Sequence, residues 1–300
     1  MSTVQRPMWT SSSVATEVAS PAPAALGTAA EARTPSSTSV IAAVGAAQWR
    51  ELARNRWVIA YAIVLLLLTE ALVRISGSGA RALTSLLDLV LLLVPLVTSV
   101  FGVVYWHAAR EFIELLLAQP VPRRGLWWGL YLGLVLPLTG AVAVGVSLPL
   151  LWHRAIDAEA APLLALYVVV AAALTASFGA AALWIGARHD DRLRGLGLML
   201  GLWFVAAVAY DGVVIWLATA FADWPLERPM LVAMLANPVD LARTALVLRL
   251  DSAALMGYTG AVMARLLGGT TGLAVTAGGL VLWVAAPVWL ALRAFGRKDF

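Results

Sequence analysis

Apolar residues in this chain gather in long, nearly unbroken runs, not in the alternating pattern of a strand or the one-sided stripe of a soluble helix. Six stretches reach the ~20 apolar residues that a ~30 Å hydrocarbon core demands. They cover about Trp57–Val73, Leu83–Trp106, Leu126–Trp152, Pro162–Ala187, Leu196–Phe221 and Thr271–Ala294. The first is the shortest, and Glu70 marks its exit. Trp57, Trp106, Trp127, Trp128 and Trp152 stand near their ends, where an aromatic belt belongs. The pattern predicts an all-α polytopic membrane protein with six transmembrane helices. Ahead of the first span, tryptophans at 49 and 57 bracket Arg50, Arg54 and Arg56, which suits a short helix in the headgroup layer. Residues 1–45 are rich in Ala, Ser, Thr and Pro and contain no signal-like apolar core. They are expected to form a disordered cytoplasmic tail, with 46–300 as the transmembrane domain.

Composition supports this class and removes others. The chain is 61% hydrophobic and only 13% charged, with mean hydropathy +0.86; soluble domains run at roughly 45–50% apolar and about 25% charged. Lys298 is the only lysine, and it lies between Arg297 and Asp299. A Walker A loop needs a lysine between glycine and Ser or Thr, so no nucleotide-hydrolysing loop can be built here and no cofactor is expected in this chain. The absence of cysteine removes disulfides and thiolate metal sites. A pI near 9.8 could point to nucleic acid, but the arginines sit at membrane edges and not in one patch. They set topology instead. A cytoplasmic N-terminus places twelve basic residues inside (50, 54, 56, 110, 123, 124, 188, 192, 194, 293, 297 and 298) and seven outside (74, 81, 154, 228, 243, 249 and 265). Both termini are therefore expected in the cytoplasm of a cell-membrane protein.

Two connecting segments carry information. After span two, His107, Arg110, Glu111 and Glu114 follow the i, i+3, i+4, i+7 spacing of one helical face, with Phe112, Ile113, Leu115 and Leu116 off it. Arg110 and Glu114 can pair one turn apart, and Pro120 and Pro122, after Gln119, stop the helix. Such a helix either covers lipid headgroups or docks a cytoplasmic partner. The second segment, from Ala222 to Thr270, is too long for a turn and is interrupted too often by charge to be a span. Asn237, Pro238 and Asp240 make a strong helix start: an N-cap, a first-position proline and an acid in the first turn. The helix that follows is amphipathic enough to lie at the outer interface, and Gly257, Gly260, Gly268 and Gly269 break the chain again. Re-entrant or interfacial helices are expected before span six.

Within the spans Asp88 and Asp211 stand out, since a charge at membrane depth costs ~2.5–3.5 kcal/mol. Both are expected toward the outer half, where water or an arginine of the external segment can reach them, and they either form a helix–helix ion pair or line a translocation path. Gly125, Gly129 and Gly133, and also Gly197 and Gly201, recur every four residues, which implies close helix packing within or between subunits. The histidines, 107, 153 and 189, lie in loops or at span ends, with no nucleophile motif beside them. Met230 with Met234 and Met256 with Met263 have helical spacing. Thioethers suit Cu(I), but packing is the commoner use of such methionines, so no metal site is assigned.

Six spans, an acidic amphipathic helix after span two and broken helices before span six resemble the type-two ABC exporter permeases. The segment from Glu111 to Arg123 looks like the leucine-rich, Pro-Arg coupling segment of that family. Leu202-Trp203-Phe204 followed by Tyr210-Asp211, then Leu235 to Asp240 with Arg243, resembles the permease subunits of the copper-processing transporters that mature nitrous oxide reductase. The resemblance covers about 48–300. It implies a homodimer in which Arg110, Glu111, Glu114, Gln119 and Pro120 meet a separate cytoplasmic ATPase that binds the ATP. It further implies Asn237, Pro238, Asp240 and Arg243 as an external motif, and a cargo such as a sulfur species, with a periplasmic accessory protein and membrane lipid as further partners. A general lipid, drug or peptide exporter, or a membrane scaffold without transport, is the alternative.

Overall fold

The computed structural model describes residues 36–158, 160–221, 227–249 and 269–297, and among them every regular element is helical. In chain order these are α1 (Ser37–Ala53), α2 (Arg56–Ser76), α3 (Gly79–Ala108), α4 (Arg110–Leu117), α5 (Arg123–Trp152), α6 (Ala160–Arg188) and α7 (Arg192–Phe204). A π-helical turn (Val205–Ala209), α8 (Tyr210–Ala220), α9 (Glu227–Leu235), α10 (Pro238–Arg249) and α11 (Gly269–Arg297) complete the set. Six helical segments are long and apolar enough to cross a membrane: α2, α3, α5, α6, α7 through α8, and α11. Each of the six apolar stretches lies largely within one of them.

Helices α3, α5 and α6 form the centre, while α2, α7–α8 and α11 leave most of their surface uncovered. The first surprise is α1. Helix begins at Ser37, so residues 37–45 do not belong to a disordered tail. The helix packs on the bundle: Val40, Val44, Gln48 and Leu52 are buried, chiefly against α5. The reason is the Gly125, Gly129, Gly133 stripe. A β-carbon on Gly129 would stand 2.7 Å from Val44 Cβ, and one on Gly133 would collide with Gln48. Small residues let two backbones approach closely, and here the close pair lies within one chain. Asn55 ends the association by capping α2, its Oδ1 accepting from Trp57 N at 2.9 Å.

Helix α10 is buried along most of its length, packed mainly on α11 and α6. It meets the segment Pro229–Leu235 at 104° across a short break, a sharply bent helix pair. Broken backbone in lipid requires internal partners, and they are present. Leu235 O, which loses its helical donor at the break, accepts from Trp283 Nε1 at 2.9 Å. The Tyr210 hydroxyl donates to Ala233 O at 2.5 Å. On α11, Pro287 has no N–H for Trp283 O, and Ser177 Oγ donates to that carbonyl at 2.7 Å. Gly257, Gly260 and Gly268 lie outside the described residues.

Candidate functional site

The residues singled out by sequence fall at two levels of the bundle. At one end, α3 turns into α4. Ile113 is completely buried on the inner side of α4, while Glu111, Glu114, Leu115, Gln119 and Pro120 are exposed. Arg110 Nε lies 3.0 Å from Glu114 Oε1, the pair expected from i, i+4 spacing. Its Nη1 also lies 3.0 Å from Asp190 Oδ1, in the loop between α6 and α7, a partner that local spacing could not reveal. The hydrogen bond that Arg110 donates to Glu114 pushes the Arg110 pKa up, and Asp190 adds to the effect. His107 joins the same loop. Its Nδ1 lies 2.9 Å from Val103 O and its Nε2 lies 3.1 Å from His189 O. A neutral imidazole donates to one of these carbonyls; the imidazolium donates to both. The C-terminal half of α11 reaches this end too, through Phe295 edge-on to Trp106 and Arg123 Nη1 donating to Gly296 O at 3.4 Å.

Nineteen residues back along α3, about 28 Å at 1.5 Å per residue, lies the second constellation. Arg243 of α10 gathers three carboxylates from three elements. Its Nη1 is 2.7 Å from Asp211 Oδ2 and 3.7 Å from Asp240 Oδ1, and its Nε is 3.5 Å from Asp88 Oδ1. Exposure falls steeply across the group, from 81% for the Asp88 side chain to 38% for Asp211, 28% for Arg243 and 6% for Asp240. Asp88 and Asp211 are thus brought to a common arginine, and the motif of Asn237, Pro238, Asp240 and Arg243 supplies it. With one cation against three anions, the group keeps a formal excess of two negative charges.

Asn237 positions this group. Its Oδ1 accepts from Val239 N at 3.0 Å, the N-cap bond that sequence anticipates, and its Nδ2 donates to Ala206 O at 2.7 Å in the π-helical turn. One buried amide therefore fixes the start of α10 against the segment that carries Asp211. π-Turns inside α-helices concentrate at functional positions, and this one precedes Asp211 directly. The methionine pair Met230 and Met234 is buried among apolar side chains, the packing role; Met256 and Met263 lie outside the described residues. Among the described residues no group of three or more His, Cys, Asp or Glu is arranged to hold a metal ion.

Comparison with known proteins gives a family for this bundle. Residues 108–300, well over half the chain, match the family model described as ABC-2 family transporter protein. The probable ABC transporter permease protein NosY of Pseudomonas aeruginosa strain PAO1 is 25% identical over 265 residues, covering 82% of this chain and 94% of that protein. Six membrane-crossing helices and this match lead to one statement: the chain belongs to the ABC-2 transporter family, as the multi-pass permease of an ABC transporter, and such a permease works with an ATPase partner.

Proposed function

We propose that the chain is a homodimeric permease that exports a small factor, such as a sulfur species, needed to assemble the copper centres of nitrous oxide reductase. The ATPase is a separate cytoplasmic subunit, and both termini of this chain lie on its side of the membrane. The observation that carries the reading is the outward face of α4. Glu111, Glu114, Gln119 and Pro120 are exposed on a helix anchored from behind by Ile113 and braced sideways by Arg110 against Asp190. Exposed ion pairs contribute only ~0–1 kcal/mol each, so the brace orients the helix and leaves it free to move. A push on α4 is passed to α3, a continuous helix ending at α4 and carrying Asp88. Coupling thus runs along α3 to the Asp88–Asp211–Arg243 group, where the permeation path opens.

A second copy fits the uncovered face of α7 and α8. β-Carbons built on Gly197, Gly201 and Gly212 would meet nothing within 4 Å, and Leu198, Leu202, Val205, Val213 and Trp216 are exposed. The cargo assignment is supported by the likeness to NosY over most of both chains. Its test is complementation in a denitrifying host deleted for its own permease of this type. This chain, expressed with its cognate ATPase, is expected to restore nitrous oxide reduction and the reductase's copper absorption bands. Full membrane insertion with an apo-reductase would overturn the cargo and leave the general-exporter alternative.

A further inference from the structure

A cleft of about 490 Å³ opens where α1, α2, α3 and the start of α7 meet. Leu52, Phe101, Val104 and the Trp57 indole form its apolar wall. Its polar edge is unusual. Glu51, at the end of α1, supplies a carboxylate, and Arg192, the first residue of α7, supplies a guanidinium. Both are exposed, and neither forms an ion pair with another described residue. Two opposite charges could have neutralised each other; instead they border one apolar cleft. Trp57, 64% exposed with the Arg56 guanidinium 5.8 Å from its ring centre, marks the level as that of lipid headgroups.

We propose that this cleft is a specific site for a phospholipid bearing a free ammonium headgroup, an ethanolamine phospholipid. Its phosphate lies on Arg192, its ammonium on Glu51, and the start of an acyl chain on Phe101 and Val104. The charge order selects the ligand. An anionic glycerol headgroup satisfies Arg192 but offers Glu51 only neutral hydroxyls and no cation, and a choline headgroup brings a cation without N–H donors. Bound there, the lipid wedges α1 and α2 against α7, at the same end of α3 as α4. The inference rests on the spans lying in a membrane and is independent of ATPase docking and cargo.

The test is native mass spectrometry of the purified chain released from vesicles with equal parts palmitoyl-oleoyl phosphatidylethanolamine, phosphatidylglycerol and phosphatidylcholine. The most tightly retained lipid is expected to be the ethanolamine form, favoured over the glycerol form by about tenfold, the ratio that 1.4 kcal/mol gives. Glu51→Gln brings that ratio close to one while total retention persists. Arg192→Gln loses retention of both lipids, and Val104→Trp, which fills the cleft without touching a charge, loses it as well. Arg81→Gln, an exposed charge change away from the cleft, keeps the wild-type pattern and reports on folding. Equal ratios in wild type and Glu51→Gln, or undiminished retention in Val104→Trp, would mean annular lipid only and overturn the site. Co-purification of the ATPase from cells expressing the same variants separates failure of this site from failure of the permease reading.

Discussion

Replacing Arg243 by Met removes the cation that three carboxylates share while keeping most of the side chain's volume. The largest loss falls on Asp240, whose side chain is 6% exposed and keeps no other cation within 4 Å among the described residues. Breaking a fully buried pair by removing one partner costs ~3–5 kcal/mol. Asp211 at 38% and Arg243 at 28% exposure are partly screened by solvent, which lowers the expected cost to about 2–4 kcal/mol. At 1.36 kcal/mol per factor of ten, the folded-to-unfolded ratio drops about 30- to 1,000-fold. Asp211→Asn alone is milder, about 1 kcal/mol, because Arg243 retains Asp240 and Asp88. The informative quantity is their combination. Asp211→Asn removes one of the charges that Arg243→Met strands, so the double variant should cost at least ~1 kcal/mol less than the sum. Asp88→Asn, 81% exposed and 3.5 Å from Nε, should cost no more than ~0.5 kcal/mol. Reversible unfolding in mixed micelles on titration with SDS, followed by helical circular dichroism, measures all four proteins. Additivity within ~0.5 kcal/mol, or a larger loss from Asp88→Asn than from Arg243→Met, would refute an arginine-centred cluster.

Ser177→Ala leaves the carbonyl that Pro287 exposes without a donor and should cost ~1–3 kcal/mol; in a Pro287→Ala background the same change should cost measurably less, as unfolding of the two pairs reports. Gly129→Leu forces α1 off α5, since even a β-carbon there lies 2.7 Å from Val44 Cβ. The expected result is protease cleavage between Ser37 and Arg54 with the six spans still inserted, and resistance equal to wild type would contradict the packing. Topology reporters fused at Arg192 and Phe300 should read as cytoplasmic and one near Gly257 as external; an external Phe300 would reverse the proposed direction of coupling.

The spans were legible because bilayer thickness imposes a length and polarity that local sequence must satisfy. The helix after span two was legible because its amphipathic spacing and terminating prolines are local, and the N-cap at Asn237 for the same reason. What escaped was contact between distant elements. The amphipathic spacing of α10 does not reveal that Asp240 and Arg243 find their counter-charges within the protein. Local spacing pairs Arg110 with Glu114 one turn away, but Asp190 lies eighty residues further on. The glycine stripe at 125, 129 and 133 announced a close neighbour without naming it, and α1 hid within a stretch whose Ala, Ser and Thr content resembles a tail. The second role of Asn237, holding the π-helical turn, had no signal beyond the residue itself.

In the proposed function a separate ATPase engages the permease at α4. Glu111→Arg combined with Glu114→Arg reverses its exposed charge and leaves Ile113 and the spans untouched. Partly desolvated interfacial charges cost ~2–5 kcal/mol when lost, so the ATPase should cease to co-purify with the permease and ATP-dependent activity should fall with it. Membrane levels of the double variant should stay at wild type, since added arginines on a cytoplasmic connection reinforce its topology. Co-purification and ATP-dependent activity both at wild-type levels would contradict docking through α4 and reduce this helix to a cover for lipid headgroups.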